Sequence, residues 1–519
     1  MTTGGASTNG GTGALSRARL VIIFLGILLG ATLSGLDGAI VATAAPTILS
    51  ELGSVSLLPW LTTSYLLAQV CTMAVYGKVG DILGRKRVFL FAVSTFMVGS
   101  ILCGAAQSMP MLIGFRVLQG VGAGGITAIA MALIADVMPA DRLGRYLSYT
   151  GVVFAVTAVL GPWAGGFFTD HLSWRWAFYV NIPSGMICLC TIALVPTSVN
   201  RVRHRVDLLG AVVIAGAIAS LLLAIGGTGG RVHWTSVRTI GLASLSAVLV
   251  AVYVLHERRA VEPILPLRVM AGRVRSLALS ANLLSGMAFG ASIVYPPLFF
   301  EAVRGIPATF AGLLLAPFAV TSGVCTIIAG QITHRRGGHV WVPAFGMASI
   351  AVGMLALGSI DASTPPAEVV AFAMLGGLGV GFVMQGLLFV IQRFTEPRDI
   401  GVATSAVMLA RLLGNSLGVA IVGTVFTNNL LSGVQRDLPD FPLEKLQGSP
   451  HEISLLSDDV RQLVQAAFAR ALALGFRAMV PFMVLGLVLV LLIPAKVVAR
   501  RMKQAPVEVP LAEATAHAM

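Results

Sequence analysis

The chain has 519 residues, of which 56% are hydrophobic and only 11% are charged, whereas soluble globular domains carry about 25% charged residues. A chain with so few charges cannot cover a water-exposed surface of this size, which excludes an ordinary soluble protein. The bilayer is therefore expected to surround most of the chain. The net charge of +13 does not indicate nucleic-acid binding, because the basic residues lie in short segments between apolar runs.

The apolar runs predict fourteen membrane spans, since a helix needs about 20 apolar residues to cross a bilayer. Residues 1–18, rich in Gly, Ser and Thr, are expected to form a disordered N-terminus, with no cleaved leader before the first span. In chain order the predicted spans are 19–49, 58–78, 87–107, 111–137, 143–169, 175–196, 207–227, 237–257, 275–302, 307–332, 340–360, 367–394, 401–429 and 473–498.

The basic residues predict the orientation. With a cytoplasmic N-terminus, most of the 35 Lys and Arg residues fall in cytoplasmic segments, as the positive-inside rule requires. We therefore expect a multi-pass protein of the cytoplasmic membrane with both termini in the cytoplasm. Residues 429–471 are predicted to form an extracellular loop.

The first predicted span contains a carboxylate, Asp37, with apolar neighbours on both sides. A charge at the bilayer centre costs roughly 2.5–3.5 kcal/mol, so such residues are usually functional. Removal from water favours the neutral form, so Asp37 could bind and release a proton, or hold a lipophilic cation when ionised. The alternative is a structural carboxylate that is salt-bridged to Arg116 or Arg411.

The two arginines inside predicted spans have different expected roles. A guanidinium has no accessible neutral form, so Arg116 cannot carry the proton; we expect it to modulate Asp37, with helix packing as the alternative. For Arg411, a second-half intramembrane charge, the sequence indicates no partner and packing is equally compatible.

The segment after the second span, 77–87 (GKVGDILGRKR), contains Gly77, Gly80, Asp81, Gly84 and Arg85. Its glycines allow a tight reversal, and its spacing resembles a signature of the major facilitator superfamily. A degraded copy occupies 330–338 after the tenth span. We interpret these residues as conformational, and expect Asp81 to latch the cytoplasmic side by facing a helix N-terminus near 401–404.

Five further stretches resemble the fourteen-helix drug:proton antiporters of that superfamily. They are 36–46, 116–123, 161–166, 174–183 and 411–420. The resemblance implies an all-α polytopic membrane protein with a major facilitator fold: two six-helix bundles plus an inserted helix pair, fourteen transmembrane helices in all. It also implies export of lipophilic cations, dyes and antibiotics. Ala39 and Ala42 replace the Thr and Asn of the family pattern, so the range of substrates stays open.

This resemblance divides the chain into an N-terminal bundle, an inserted pair and a C-terminal bundle. The corresponding residues are 19–198, 199–260 and 261–498, followed by a cytoplasmic tail, 499–519. In the fifth span, Gly161, Pro162, Gly165 and Gly166 are interpreted as a hinge or seal between the halves, with ordinary small-residue packing as the alternative.

Candidate substrate contacts are polar, aromatic or adaptable residues at mid-depth, although each taken alone is more often a packing residue. They are Asp37, Tyr65, Gln69, Gln119, Asn282, Phe289, Tyr295, Met384, Gln385 and Asn415.

Together these features predict a proton-coupled antiporter that exports lipophilic drugs, dyes or antibiotics by alternating access and confers antibiotic resistance. The alternatives are a proton-coupled carrier of an endogenous metabolite and a membrane scaffold or sensor without transport. The sequence contains no Walker loop, and we expect no enzymatic activity, cofactor or metal. The expected partners are a small lipophilic substrate, protons and the bilayer, and the expected state is a monomer.

Overall fold

The structure, a computed structural model, describes residues 17–53, 57–137, 157, 160–194, 207–226, 236–259, 272–336, 340–396, 400–438 and 457–494. The regular secondary structure of these ranges is helical, without strands, which agrees with the all-α prediction. The helices are α1 (Arg17–Leu52), α2 (Leu58–Leu83), α3 (Arg85–Gly104), α4 (Met109–Val137), α5 (160–171), α6 (Trp176–Tyr179), α7 (Asn181–Ala193), α8 (Leu208–Gly226), α9 (Val237–Glu257), α10 (Arg273–Ala302), α11 (Ala308–Leu313), α12 (Ala316–Arg336), α13 (Trp341–Leu357), α14 (Pro366–Arg393), α15 (Ile400–Asp437) and α16 (Asp458–Leu491).

Ten helical segments within the described ranges are long and apolar enough to cross a membrane, and two shorter apolar helices accompany them. Two of the ten, 176–193 and 308–333, each join two consecutive helices across a break. The positions of the helices follow the predicted spans closely, but the total of fourteen spans stays a prediction. The protein is therefore a multi-pass membrane protein.

The helices pack as two groups with an inserted pair between them in sequence. In the first group α4 contacts α1, α2 and α3, and α7 contacts α1 and α3. In the second group α10 packs on α15 and α16, and α14 packs on α12 and α13. The groups meet where α1 contacts α10 and where α2 contacts α15.

The inserted pair, α8 and α9, contacts both groups of helices through α8. Helix α8 contacts both α2 and α15, whereas α9 contacts α8. The Thr424 hydroxyl of α15 donates to the Ile225 carbonyl at 2.6 Å, and Ser246 of α9 donates to the Ala217 carbonyl at 2.8 Å. Helix α8 therefore has polar contacts with α15 on one side and α9 on the other.

Helix α15 ends later and helix α16 begins earlier than predicted, which corrects the boundaries of the segment 429–471. Helix α15 continues to Asp437 and α16 begins at Asp458, so both ends of that segment are helical. Charged side chains do not end a helix; Asp437 pairs with Arg470 at 3.1 Å, and Asp458 favours the helix N-terminus electrostatically. The predicted span 473–498 also ends early, at Leu491, shortly before Pro494.

Replacing Gly414 by alanine is expected to destabilise the second group of helices. A Cβ at Gly414 would overlap the carbonyl oxygen of Leu283 on α10, a backbone atom that moves only with its helix. Overpacking of this kind costs about 1–3 kcal/mol, so the thermal unfolding temperature of the detergent-purified protein should fall.

Gly114→Ala is the matched control for that substitution. Gly114 is exposed on α4, and an added Cβ would meet open space, so the unfolding temperature should stay the same or rise slightly. Equal losses for the two variants would contradict the packing argument.

Candidate functional site

The first-span carboxylate, Asp37, is completely buried and is bonded to three side chains. Its Oδ2 accepts from Arg116 Nη1 of α4 at 2.5 Å. Its Oδ1 accepts from Gln119 Nε2 at 2.7 Å and from Asn181 Nδ2, at the start of α7, at 2.9 Å. One cation and two amides therefore donate hydrogen bonds to Asp37.

The guanidinium of Arg116 is equally buried, with 0% exposure of its side chain. Its Nε donates to the Leu61 carbonyl at 3.2 Å, and Nη1 also donates to Gln119 Oε1 at 2.6 Å. The guanidinium carbon lies 4.1 Å from the centroid of the Tyr65 ring, a cation–π geometry. Nη2 has no hydrogen-bond partner among the described residues. Arg116 is thus positioned by α2 as well as by the carboxylate.

A second polar cluster adjoins this pair on α1 and α2. The Tyr65 hydroxyl donates to the Ser34 carbonyl at 3.1 Å. Gln69 Nε2 donates to Ser34 Oγ and to Thr127 Oγ1, both at 3.1 Å. The predicted residue Tyr65 therefore lies beside Arg116, and Gln69 shares Ser34 with it, but neither bonds to Asp37.

Two residues of the Asp37 network, Asn181 and Ser100, were missed by the sequence analysis. Ser100 Oγ accepts from Gln119 Nε2 at 2.6 Å and from Asn181 Nδ2 at 3.0 Å. Asn181 could have been found, because it is an amide at the start of an apolar helix, inside the stretch 174–183. Ser100 carries no such signal, since a lone serine is common in membrane helices.

In the second group, two predicted residues bond to the backbone of α15. Asn282 Nδ2 donates to the Val407 carbonyl at 2.8 Å, and the Tyr295 hydroxyl donates to the Val419 carbonyl at 2.7 Å. Both side chains therefore hold α10 against α15, the packing role that the sequence left open. Contact of either residue with a substrate stays a prediction.

The remaining second-group candidates contact residues of their own group. Arg411 Nη1 lies 2.9 Å from Met384 Sδ of α14, and Asn415 lies against Gly290 of α10. Phe289 contacts Phe318, with ring centroids 6.0 Å apart, and Gln385 lies beside Gly330. The hydrogen bonds of Asp37 go to Arg116 rather than to Arg411.

The glycines of α5 lie against both groups of helices. A Cβ at Gly161 would lie 2.5 Å from the Ala39 Cβ, and one at Gly165 would lie 2.5 Å from the Ile40 carbonyl oxygen, both on α1. On the other side, a Cβ at Gly166 would overlap the backbone of Ala308 and Thr309. Helix α5 therefore lies against α1 on one side and α11 on the other, and a hinge or seal at these glycines stays a prediction.

Two more contacts join α5 to α11. A Cβ at Gly312 would overlap the Pro162 carbonyl oxygen. In addition, Asp170 Oδ2 accepts from the Thr309 backbone N–H at 2.7 Å. The contact between α5 and α11 thus consists of small residues, one backbone carbonyl and one carboxylate.

The glycine-rich segment 77–87 is not a loop as predicted: α2 continues to Leu83, α3 begins at Arg85, and Gly84 lies between them. Gly84 has φ = 93°, a conformation that favours glycine. Arg85 Nη1 donates to the Ala132 carbonyl of α4 at 3.1 Å. A Cβ at Gly77 would meet open space, and one at Gly80 would contact Ile129. The side chain of Asp81 lies outside the described residues, so the predicted latch near 401–404 is not tested.

Within the described ranges, no three His, Cys, Asp or Glu side chains could together hold a metal ion. The site consists of a buried ion pair, amides and hydroxyls. Such groups donate and accept hydrogen bonds and can exchange partners.

Comparison with known proteins gives consistent matches over most of the chain. The Major Facilitator Superfamily model matches residues 27–419. An uncharacterised MFS-type transporter of Mycobacterium tuberculosis is 36% identical over 95% of this chain and 72% of its own length. Multidrug resistance protein 3 of Bacillus subtilis is 36% identical over 80% of this chain and 81% of its own length.

The fold is also found in solved structures. A bacterial homologue of the human lysosomal transporter Spinster superposes with a TM-score of 0.68, at 16% identity, over 95% of this chain and 100% of that chain. At this level of identity the likeness concerns the fold alone.

Proposed function

The chain belongs to the major facilitator superfamily and is a membrane transporter, and we propose that it exports lipophilic drugs, dyes or antibiotics from the cytoplasm in exchange for protons. Relatives whose names are multidrug resistance protein and efflux pump support the direction and the substrate class. Asp37 is the proposed proton-binding residue, and Arg116 controls its charge state.

One observation carries the proposal: an ion pair with 0% exposure of both side chains, at 2.5 Å, inside a bundle of apolar helices. Buried ion pairs are weak contributors to stability, because desolvation offsets their attraction, and apolar replacements are often as stable. Stability alone therefore does not explain a completely buried ion pair. A transport cycle does explain it, since protonation can cancel the charge of Asp37 and deprotonation can restore it.

The proposed cycle uses that change of charge. A proton on Asp37 removes the attraction to Arg116, so that α1 and α4 can move relative to each other when the transporter changes the side to which it opens. The proton leaves when the transporter opens to the cytoplasm and the Asp37 carboxylate again lies beside Arg116. Each proton moved inward through 100 mV supplies about 2.3 kcal/mol, and each pH unit about 1.4 kcal/mol more.

The substrate would bind between the two groups of helices rather than directly at Asp37. In this conformation all three hydrogen bonds of Asp37 go to side chains of the first group. The proton and the drug therefore occupy different sites, and they exclude each other because they favour different conformations. The charge of Asp37 is already compensated by Arg116 in this conformation, so neutral compounds and monocations are the proposed substrates. Preferential export of a dicationic dye over a matched monocation would contradict this.

The α5–α11 contact is proposed to seal the extracellular side, and Gly166→Ala is expected to open it. The new Cβ would overlap the backbone of Ala308 and Thr309, a strain of about 1–3 kcal/mol that separation of the helices relieves. The open population should rise about fivefold or more. It is measured by labelling Ala308→Cys from outside with a membrane-impermeant maleimide, after replacement of the native cysteines.

Gly38→Ala provides the control for that labelling experiment. Gly38 lies within α1, and an added Cβ would meet nothing within 4 Å, so labelling of Ala308→Cys should equal that in the parent protein. If Gly166→Ala and Gly38→Ala label equally, the α5–α11 contact is not the seal.

The function is tested by dye accumulation and by proton release. Cells that express the protein should accumulate less of a lipophilic monocationic dye than cells without it, and a proton uncoupler should abolish the difference. A carrier that imports a metabolite would not lower dye accumulation. Addition of the same dye to purified protein in weakly buffered detergent should release protons, which a scaffold or sensor would not do.

A further inference from the structure

The two amides that bond to Asp37 Oδ1 differ in what their oxygens do. Gln119 Oε1 accepts from Arg116 Nη1 at 2.6 Å, and a guanidinium is a donor only. The Gln119 amide is therefore fixed in one orientation. Asn181 Oδ1 is completely buried and has no hydrogen-bond partner among the described residues, so nothing on its oxygen side fixes its amide.

A half-turn of the Asn181 amide would exchange the places of its Nδ2 and Oδ1. Its oxygen would then lie near Asp37 Oδ1 and Ser100 Oγ, the two atoms to which Nδ2 now donates at 2.9 and 3.0 Å. A serine hydroxyl can donate as well as accept, so Ser100 suits both orientations. An ionised Asp37 accepts only; a protonated Asp37 can donate. The protonation state of Asp37 therefore decides which amide orientation is favourable.

We propose that Asn181 is a two-position amide switch, which donates to Asp37 when Asp37 is ionised and accepts from Asp37 when Asp37 is protonated. This inference rests on the proposed proton coupling through Asp37. Asn181 is a positioning residue: it neither carries the proton nor contacts the substrate, but it satisfies both charge states of the carboxyl group at one site.

The groups around Asp37 also determine which of its oxygens takes the proton. Oδ2 faces the guanidinium of Arg116 from α4, which offers no acceptor. From α2, the Tyr65 hydroxyl is bonded to Ser34; from α3, Cys103 Sγ donates to Gln119 Oε1 at 3.7 Å. Neither of these groups bonds to Asp37. The proton therefore resides on Oδ1, whose hydrogen points to the turned Asn181 oxygen.

The test is infrared difference spectroscopy of the full-length protein in lipid, recorded between high and low pH. The carboxylic acid band of Asp37 is identified by its absence in Asp37→Asn. In Asn181→Leu this band should move to higher frequency, as for a carboxylic acid that has lost its acceptor. The pH at which it reaches half height should rise by about one unit, because a charge-assisted hydrogen bond to the ionised form is stronger than a neutral one.

A measurement on the wild-type protein does not depend on the folding of a variant. With asparagine labelled in its side-chain amide, one asparagine carbonyl band should shift to lower frequency when Asp37 becomes protonated, because that oxygen gains hydrogen bonds. The shift should be absent in Asp37→Asn. No shift in the wild-type protein would overturn the amide switch.

Asn282→Leu is the matched control. Asn282 is another buried asparagine, bonded to the Val407 carbonyl at 2.8 Å, and its loss should leave the Asp37 band and its pH dependence unchanged. An unchanged band in Asn181→Leu, together with its loss in Asp37→Asn, would overturn this inference alone. If Asp37→Asn still releases protons when dye is added, the proposed function itself fails.

Discussion

Replacing Asp37 by asparagine is expected to abolish proton-driven transport while leaving the protein folded. Asparagine has nearly the shape of a protonated aspartic acid, and its oxygen can still accept from Arg116, which now donates to Asp37 Oδ2 at 2.5 Å. The side chain cannot ionise, so no proton is bound and released in the cycle. The variant should therefore equilibrate substrate down its gradient without concentrating it.

The expected loss is large. For one proton exchanged with a neutral substrate, 100 mV and one pH unit could sustain a concentration ratio on the order of a few hundredfold; the variant should sustain none. The measurement is uptake of a neutral lipophilic dye into proteoliposomes with an imposed pH gradient and membrane potential, using the orientation in which wild type concentrates the dye.

The same helix offers a matched control, Glu51→Gln. Glu51 Oε1 pairs with Arg175 Nη1 at 2.6 Å, but its side chain is 47% exposed, and exposed pairs contribute about 0–1 kcal/mol. This carboxylate-to-amide change should leave the gradient nearly unchanged. Concentration of dye by Asp37→Asn at the wild-type level would remove Asp37 from the mechanism.

The sequence could predict Asp37 and Arg116 because charges within apolar spans are rare and costly. It favoured Arg116 as the residue that modulates Asp37 but left a salt bridge to Arg411 open, since the pairing depends on how α1 packs against α4. Ser100 could not be predicted for a different reason: it matters only because it lies between Gln119 and Asn181 and bonds to both. Neutral polar residues acquire a role only when the packing is known.

The helix positions followed from hydrophobicity, but their ends did not always. The N-terminal part of α16 is helical although Asp458, Asp459 and Arg461 make it polar, because a helix needs an apolar lining only where lipid surrounds it. In the second group the sequence could not tell that Asn282 and Tyr295 face α15, since a side chain that lines a cavity and one that holds two helices together have the same composition.

Replacing Arg116 by methionine is expected to cost both stability and transport. The substitution leaves Asp37 buried with two amides but no cation, and breaking a buried pair by removing one partner costs about 3–5 kcal/mol. Asp37 can avoid part of this cost by remaining protonated, which would also stop proton release. The unfolding temperature in detergent and the dye-induced proton release should therefore both fall.

The double variant Asp37→Leu/Arg116→Met separates the two roles of the pair. Without either charge, no ion is left buried, and replacing a whole buried pair by apolar residues is often neutral or stabilising. The unfolding temperature should therefore return toward the wild-type value, whereas proton release should stay absent because the carboxylate proposed to bind the proton is gone. If the pair were only structural, restoring stability would restore transport as well. Recovered folding with lost coupling is the result that assigns the ion pair to the transport cycle.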